Sequence, residues 1–143
     1  MTHIYIPDTN IISAFIKQNP LVFENIGHAL VRGDEIYLCP VVYHEIYRGL
    51  LYRDTKRLLA DFLNLIDNTA IQPFTQDDWT EASVMWAEMR RTGNTVGEMD
   101  ILIAAYAKMR NAIVVTNNEK HFIPLGVPVE NWLHKKEWLQ KDD

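Results

Sequence analysis

The sequence predicts an α/β fold, a central and mainly parallel sheet with helices on both faces. Three observations carry this reading. Short apolar runs at 3–7, 36–39 and 113–116 have the length of buried strands and are bounded by turn or capping residues. Longer stretches between them repeat apolar residues at helical spacing, as in Leu58, Leu59, Phe62, Leu63 and Ile66. Repeated strand-helix crossovers of this kind build a parallel sheet covered on both sides.

Each element has its own signals. Residues 3–7 form the first buried strand, and Asp8-Thr9-Asn10 caps a helix from Ile11 to about Lys17. Pro20 suits the first turn of a second helix reaching about Arg32, after which Gly33-Asp34 marks a turn. The second strand is 36–39. Pro40 opens a helix to about Leu51, with Val41, Val42, Ile46 and Leu50 available to bury. A helix from about Thr55 to Leu65 precedes a third strand at 70–73. Thr75 and Asp78 form a capping arrangement for the next helix, whose Trp79, Ala82, Met85, Trp86 and Met89 supply a broad apolar face. Arg90-Arg91-Thr92-Gly93 ends it, and a polar linker leads to a helix from Asp100 to about Met109. The strand 113–116, a polar turn at Asn117-Asn118 and a short fifth strand at 127–129 complete the pattern.

At 143 residues the chain reads as a single domain, 1–143, long enough for a sizeable core. Its 48% apolar and 23% charged residues are those of an ordinary globular protein. The one cysteine, Cys39, lies in an apolar strand and reads as a buried thiol. No basic leader with an apolar segment opens the chain and no apolar run is long enough to span a bilayer, so a cytoplasmic protein without membrane attachment is expected. The net charge of −5 argues against nucleic-acid binding through overall charge. It leaves room for an enzyme acting on RNA, because part of the acidic excess can face a metal while a local basic strip, densest at Arg48, Arg53, Lys56 and Arg57, engages phosphates.

The candidate chemistry lies in carboxylates placed where strands stop. Asp8 ends the first strand, Glu45 follows the second, and Asp100 opens the apolar helix Ile101-Leu102-Ile103-Ala104-Ala105. In a parallel α/β fold the carboxyl ends of the strands meet at one crevice. Three acids there repel one another unless a cation or shared protons compensate. A hard divalent ion, Mg²⁺ or Mn²⁺, is the expected cofactor, with phosphate chemistry as its use. Glu119, in Thr116-Asn117-Asn118-Glu119, is a fourth available ligand; Asn118 can coordinate through its carbonyl, and Thr116 can orient water. Zinc is less well served. The five histidines show no compact pair at ligand spacing, Cys39 has no companion, and neither a phosphate-binding glycine loop nor a dinucleotide fingerprint is present.

These motifs together resemble the PIN-domain ribonucleases, especially the VapC-like toxins of bacterial toxin–antitoxin pairs, over nearly the whole chain. Ile6-Pro7-Asp8-Thr9-Asn10 matches the family's strand and Asp-Thr-Asn signature. Glu45 in Val42-Tyr43-His44-Glu45-Ile46 matches the glutamate after the second strand, and Met99-Asp100-Ile101-Leu102-Ile103-Ala104-Ala105 matches the third acid with its alanine-rich helix. Val115-Thr116-Asn117-Asn118-Glu119-Lys120-His121-Phe122 resembles the fourth motif, and Val129-Glu130-Asn131-Trp132 the terminal strand. Many relatives place an acid immediately before the phenylalanine, where this chain has His121. The fourth acidic function then passes to Glu119, is shared by Asn118, or is absent. The resemblance implies a three-layer α/β/α sandwich, endonucleolysis of RNA dependent on Mg²⁺ or Mn²⁺, tRNA among the candidate substrates, a homodimer, and an antitoxin that inserts a segment into the active-site groove. A noncatalytic RNA-binding or regulatory protein on the same fold is the alternative, since fold alone does not establish activity. A phosphatase or DNA nuclease is the third.

Overall fold

The computed structural model describes residues 2–67 and 69–134. Four strands, β1 (Ile4–Pro7), β2 (Glu35–Ile36), β3 (Ile113–Val115) and β4 (Val129–Glu130), form one sheet in the order β2-β1-β3-β4. Every pairing is parallel: Tyr5 lies opposite Ile36 on one side and Ile113 on the other, and Val115 lies opposite Glu130. The chain leaves β1 toward β2 and returns on the opposite flank of β1 to make β3. That reversal places a topological switch at the carboxyl ends of β1 and β3, where ligands of open parallel sheets bind.

Among the described residues seven α-helices surround the sheet: α1 (Thr9–Ile16), α2 (Pro20–Val31), α3 (Pro40–Arg53), α4 (Lys56–Asp67), α5 (Gln76–Arg91), α6 (Glu98–Met109) and the short α7 (Glu119–Phe122). The two-residue period of the strands divides the core between the two faces. Ile6 and Val114 point into the larger cluster, among Leu38, Val42, Phe62, Met85 and the run Ile103 to Ala107 of α6. Tyr5 and Val115 point the other way, onto Ile11, Val22, Ala29 and Trp132. The helices thus lie in two layers with the sheet between them. No helix among the described residues is long and apolar enough to cross a membrane.

The elements expected from sequence are largely present, with several differences, among them the unexpected short helix α7. The second strand stops early because Cys39 becomes the N-cap of α3 and Pro40 its first residue. The expected strand at 70–73 reduces to one bridge, between Ala70 and Tyr37. Pro73 has no N–H to donate to a ladder, and the carbonyls of Gln72 and Pro73 accept instead from the Tyr106 hydroxyl (2.8 Å) and Arg110 (3.4 Å). The last strand falls at Val129–Glu130 rather than 127–129, and α6 begins at Glu98, one residue after its Gly97 N-cap. Cys39 is fully buried, and burial pushes its thiol up to about 12, so the structure keeps it a protonated core group.

Candidate active site

Asp8 is the first residue beyond β1 and the N-cap of α1, and its carboxylate is buried almost completely. Its Oδ1 accepts the Thr9 amide at 2.7 Å. Its Oδ2 accepts the Thr116 hydroxyl at 2.8 Å and, more weakly, the Asn10 amide at 3.4 Å. Thr116, fully buried just past β3, in turn accepts the Asn118 N–H at 2.9 Å. Because β1 and β3 are neighbours in register, the residues following them are brought together although far apart in sequence. Asn10 ties the same two segments a second time, its Oδ1 accepting the Asn117 N–H at 3.0 Å.

Glu45 reaches this place from the second turn of α3, where the Thr9 hydroxyl donates to its Oε2 at 3.0 Å. Asp100 reaches it from the first turn of α6 and meets His121 of α7, with His121 Nδ1 3.1 Å from Asp100 Oδ2. Asp8, Glu45 and Asp100 line one cavity of about 370 Å³ with Thr9, Asn10, Asn118 and His121, and Met99 and Ile103 supply its apolar part.

The electrostatics follow from burial. Asp8 is held above the usual carboxylate range, first by burial and then by the neighbouring charges of Asp100 and Glu45, while the bonds from Thr116 and Thr9 pull it back. Asp100 is raised by burial and by Glu45, against the opposing pull of His121. Three acids in a half-closed cavity therefore carry negative charge that the protein does not fully neutralise.

Glu119, one of the candidates left open for the fourth acid, is not among the residues lining this cavity. It faces the end of β4, where its Oε1 accepts from Asn131 Nδ2 at 3.0 Å. The reason is geometric: on a helix, residues two apart project to nearly opposite sides. His121 takes the cavity side of α7, so Glu119 takes the other. Arg48, of the basic strip on α3, lies with its Nη1 3.4 Å from His44 Nε2. The role of Thr116 is more direct than orienting water, since its hydroxyl holds Asp8 itself. Asn131, which spans Glu119 and Asn117, had no signal beyond its place in the terminal motif.

Hard divalent cations suit this donor set. Among the described residues no three His, Cys, Asp or Glu side chains are grouped closely enough to form a ready-made metal cage. Mg²⁺ does not require one, because it retains water and is commonly held by one or two carboxylates together with substrate phosphate. An oxygen-only set of carboxylates, in which like charges and burial raise Asp8 and Asp100, fits such an ion because a cation relieves that repulsion.

Comparison with known proteins gives a consistent picture. The PIN domain pattern matches residues 5–123. The chain is 30% identical over 138 residues to Ribonuclease VapC2 of Rickettsia felis, covering 90% of this chain and 98% of that one. It is 29% identical over 127 residues to the tRNA(fMet)-specific endonuclease VapC of Shigella flexneri, covering 87% and 95%. Among solved structures, VapBC2 from Rickettsia felis bound to a promoter DNA fragment superposes with a TM-score of 0.81 at 26% identity, over 90% of this chain and 98% of that one. DNA-bound VapBC from Salmonella typhimurium superposes with a TM-score of 0.80 at 26% identity, over 92% and 99%.

Proposed function

The chain belongs to the PIN domain family, and from that membership we propose that it is a divalent-metal-dependent endoribonuclease, the toxin of a toxin–antitoxin pair. The observation that carries the reading is the convergence of Asp8, Glu45 and Asp100 on one cavity at the carboxyl ends of β1 and β3. Relatives named as VapC ribonucleases, matched over nearly their whole length, support RNA as the substrate, and two named for tRNA(fMet) make a tRNA the first substrate to try.

Asp8, Glu45 and Asp100 are the residues that would hold Mg²⁺ or Mn²⁺. When bound, such an ion supplies a water of lowered pKa and stabilises charge developing on the phosphate. The chain's own residues do the rest. Thr116 and the Thr9 amide fix the Asp8 carboxylate, the Thr9 hydroxyl fixes Glu45, and His121 fixes Asp100, so the three acids are oriented before any ligand arrives. Asn118 lines the same cavity and would meet a phosphodiester entering it. Burial around Asp8 limits water and strengthens each charge interaction.

The partner is a cognate antitoxin, a reading supported by the likeness to VapBC complexes. The neighbouring gene is expected to encode it, with a segment that blocks the acidic cavity by placing an arginine or lysine against Asp8 and Asp100. The working unit is a homodimer in the cytoplasm. The test is cleavage of RNA, DNA and a small phosphomonoester, with and without Mg²⁺ or Mn²⁺, using folded tRNAs among the RNAs. Cleavage of RNA alone, lost in Asp8→Asn and Asp100→Asn proteins that remain folded, is the expected result. Undiminished cleavage by folded Asp8→Asn protein overturns the assignment.

A further inference from the structure

We infer that the surface around Trp86 and Arg90 is a subsite for one unpaired nucleotide of the RNA, a proposal that rests on the ribonuclease reading above. The start of α6 separates this surface from the acidic cavity: Met99 and Asp100 line the cavity, whereas Val96 and Ile101 line a neighbouring hollow of about 260 Å³. Trp86, Met89, Arg90, Gly93, Asn94 and Thr95 complete that hollow. A strand whose phosphate lies at Asp100 thus needs only to cross the first turn of α6 to reach it.

The chemistry of the hollow suits a base and its phosphate. Trp86 leaves 43% of its surface exposed, while Ala82 and Met85 of the same helix make the buried contacts with the core. The Arg90 guanidinium carbon lies 4.6 Å from the centre of the Trp86 ring, a cation over an aromatic face. The lining of this hollow includes Arg90 and no acid, in a protein of net charge −5, while Glu98 lies in the adjoining hollow on the other side of Trp86. Neither Arg90 nor its neighbour Arg91 has a carboxylate partner among the described residues, whereas Arg32, Arg57 and Arg110 each do. An exposed indole beside arginines that lack a carboxylate partner is how proteins grip single-stranded nucleic acid, by stacking the base and neutralising the phosphate. Paired bases hide their faces, so a duplex gains nothing from the indole.

The test measures binding of a fluorescein-labelled oligoadenylate, and of the same strand annealed to its complement, to Asp8→Asn protein that cannot consume it. Adding Trp86→Ala should weaken single-strand binding roughly 10-fold or more with an unchanged salt slope. Trp86→Phe should restore most of the affinity, and the duplex should not respond to either change. Arg90→Gln should instead lower the salt slope by about one phosphate contact. Single-strand affinity unchanged in folded Trp86→Ala protein overturns the subsite. So does a shift of that protein from dimer to monomer in sedimentation, which assigns the exposed Trp79, Val84 and Trp86 to a second copy of the chain. If the wild-type protein cleaves tRNA while either of these holds, only the subsite falls. If it neither binds nor cleaves RNA, the ribonuclease reading falls with it.

Discussion

At Asp8 the protein sets a charge where it is least comfortable. Burial and two neighbouring acids raise its pKa, so its ionised form costs folding free energy at neutral pH. Asp8→Asn should therefore raise the melting temperature of the metal-free protein near neutrality while removing cleavage. A group raised in this way destabilises only once it ionises. The gain should shrink as pH falls through the raised pKa and vanish below the ordinary carboxylate range, which thermal melts across pH will show. Thr116→Val makes the converse change. It removes the 2.8 Å bond to Asp8 and leaves the Asn118 N–H without its acceptor, so urea unfolding should show a loss of about 1 to 3 kcal/mol. Cleavage should fall with it, because Asp8 loses the donor that fixes and ionises it. Asp8, Glu45 and Asp100 were legible in the sequence because each follows a strand or starts a helix, positions whose direction the parallel fold fixes. Glu119 and His121 were not. Which of them faces the cavity depends on the rotation of a four-residue helix, and that rotation is set by the complete burial of Phe122.

Among the elements, α5 was read most accurately, since its start is chemical rather than periodic. The Thr75 hydroxyl accepts the Asp78 N–H at 3.2 Å, and Asp78 returns the bond by accepting the Thr75 N–H at 2.8 Å. Asp78 also accepts two bonds from Arg110, at 2.9 and 3.0 Å, and the Arg110 guanidinium carbon lies 3.5 Å from the centre of the Tyr106 ring. One buried carboxylate thus starts α5 and anchors the end of α6. Arg110→Ala leaves it buried and unpaired, a loss expected at about 3 to 5 kcal/mol in chemical denaturation. Burial alone would raise Asp78, but the Arg110 and Thr75 bonds outweigh it and hold the carboxyl below its ordinary value. The stability from this group is therefore full above the ordinary carboxylate range and is lost as pH falls through the depressed pKa. The wild-type protein should show that acid-side loss, and Arg110→Ala should show less of it. The strand expected at 70–73 failed for a reason periodicity does not register: a short apolar run beside a proline spends its carbonyls on whatever donor is near, here Tyr106 and Arg110.

Across the whole molecule, the order β2-β1-β3-β4 is what turns dispersed acids into a site, and the alternating apolar runs made the parallel sheet legible without any tertiary knowledge. The inhibitor is expected to act at the same scale. Purified together with the product of the neighbouring gene, the protein should lose cleavage in proportion to the partner added, and trimming the partner's cavity-blocking segment should restore it. Tight binding that leaves cleavage unchanged would remove the blockade. The bond from Thr116 to Asp8 closes a loop of 108 residues, and this has a consequence in time. The acid at the start of the chain is made first and waits for its orienting hydroxyl until synthesis has passed β3. Trp132, which is buried behind that strand and Tyr5, comes later still. A ribosome carrying most of this polypeptide therefore carries no assembled nuclease. The cavity around Asp8 closes late, once Thr116 beyond β3 has been made.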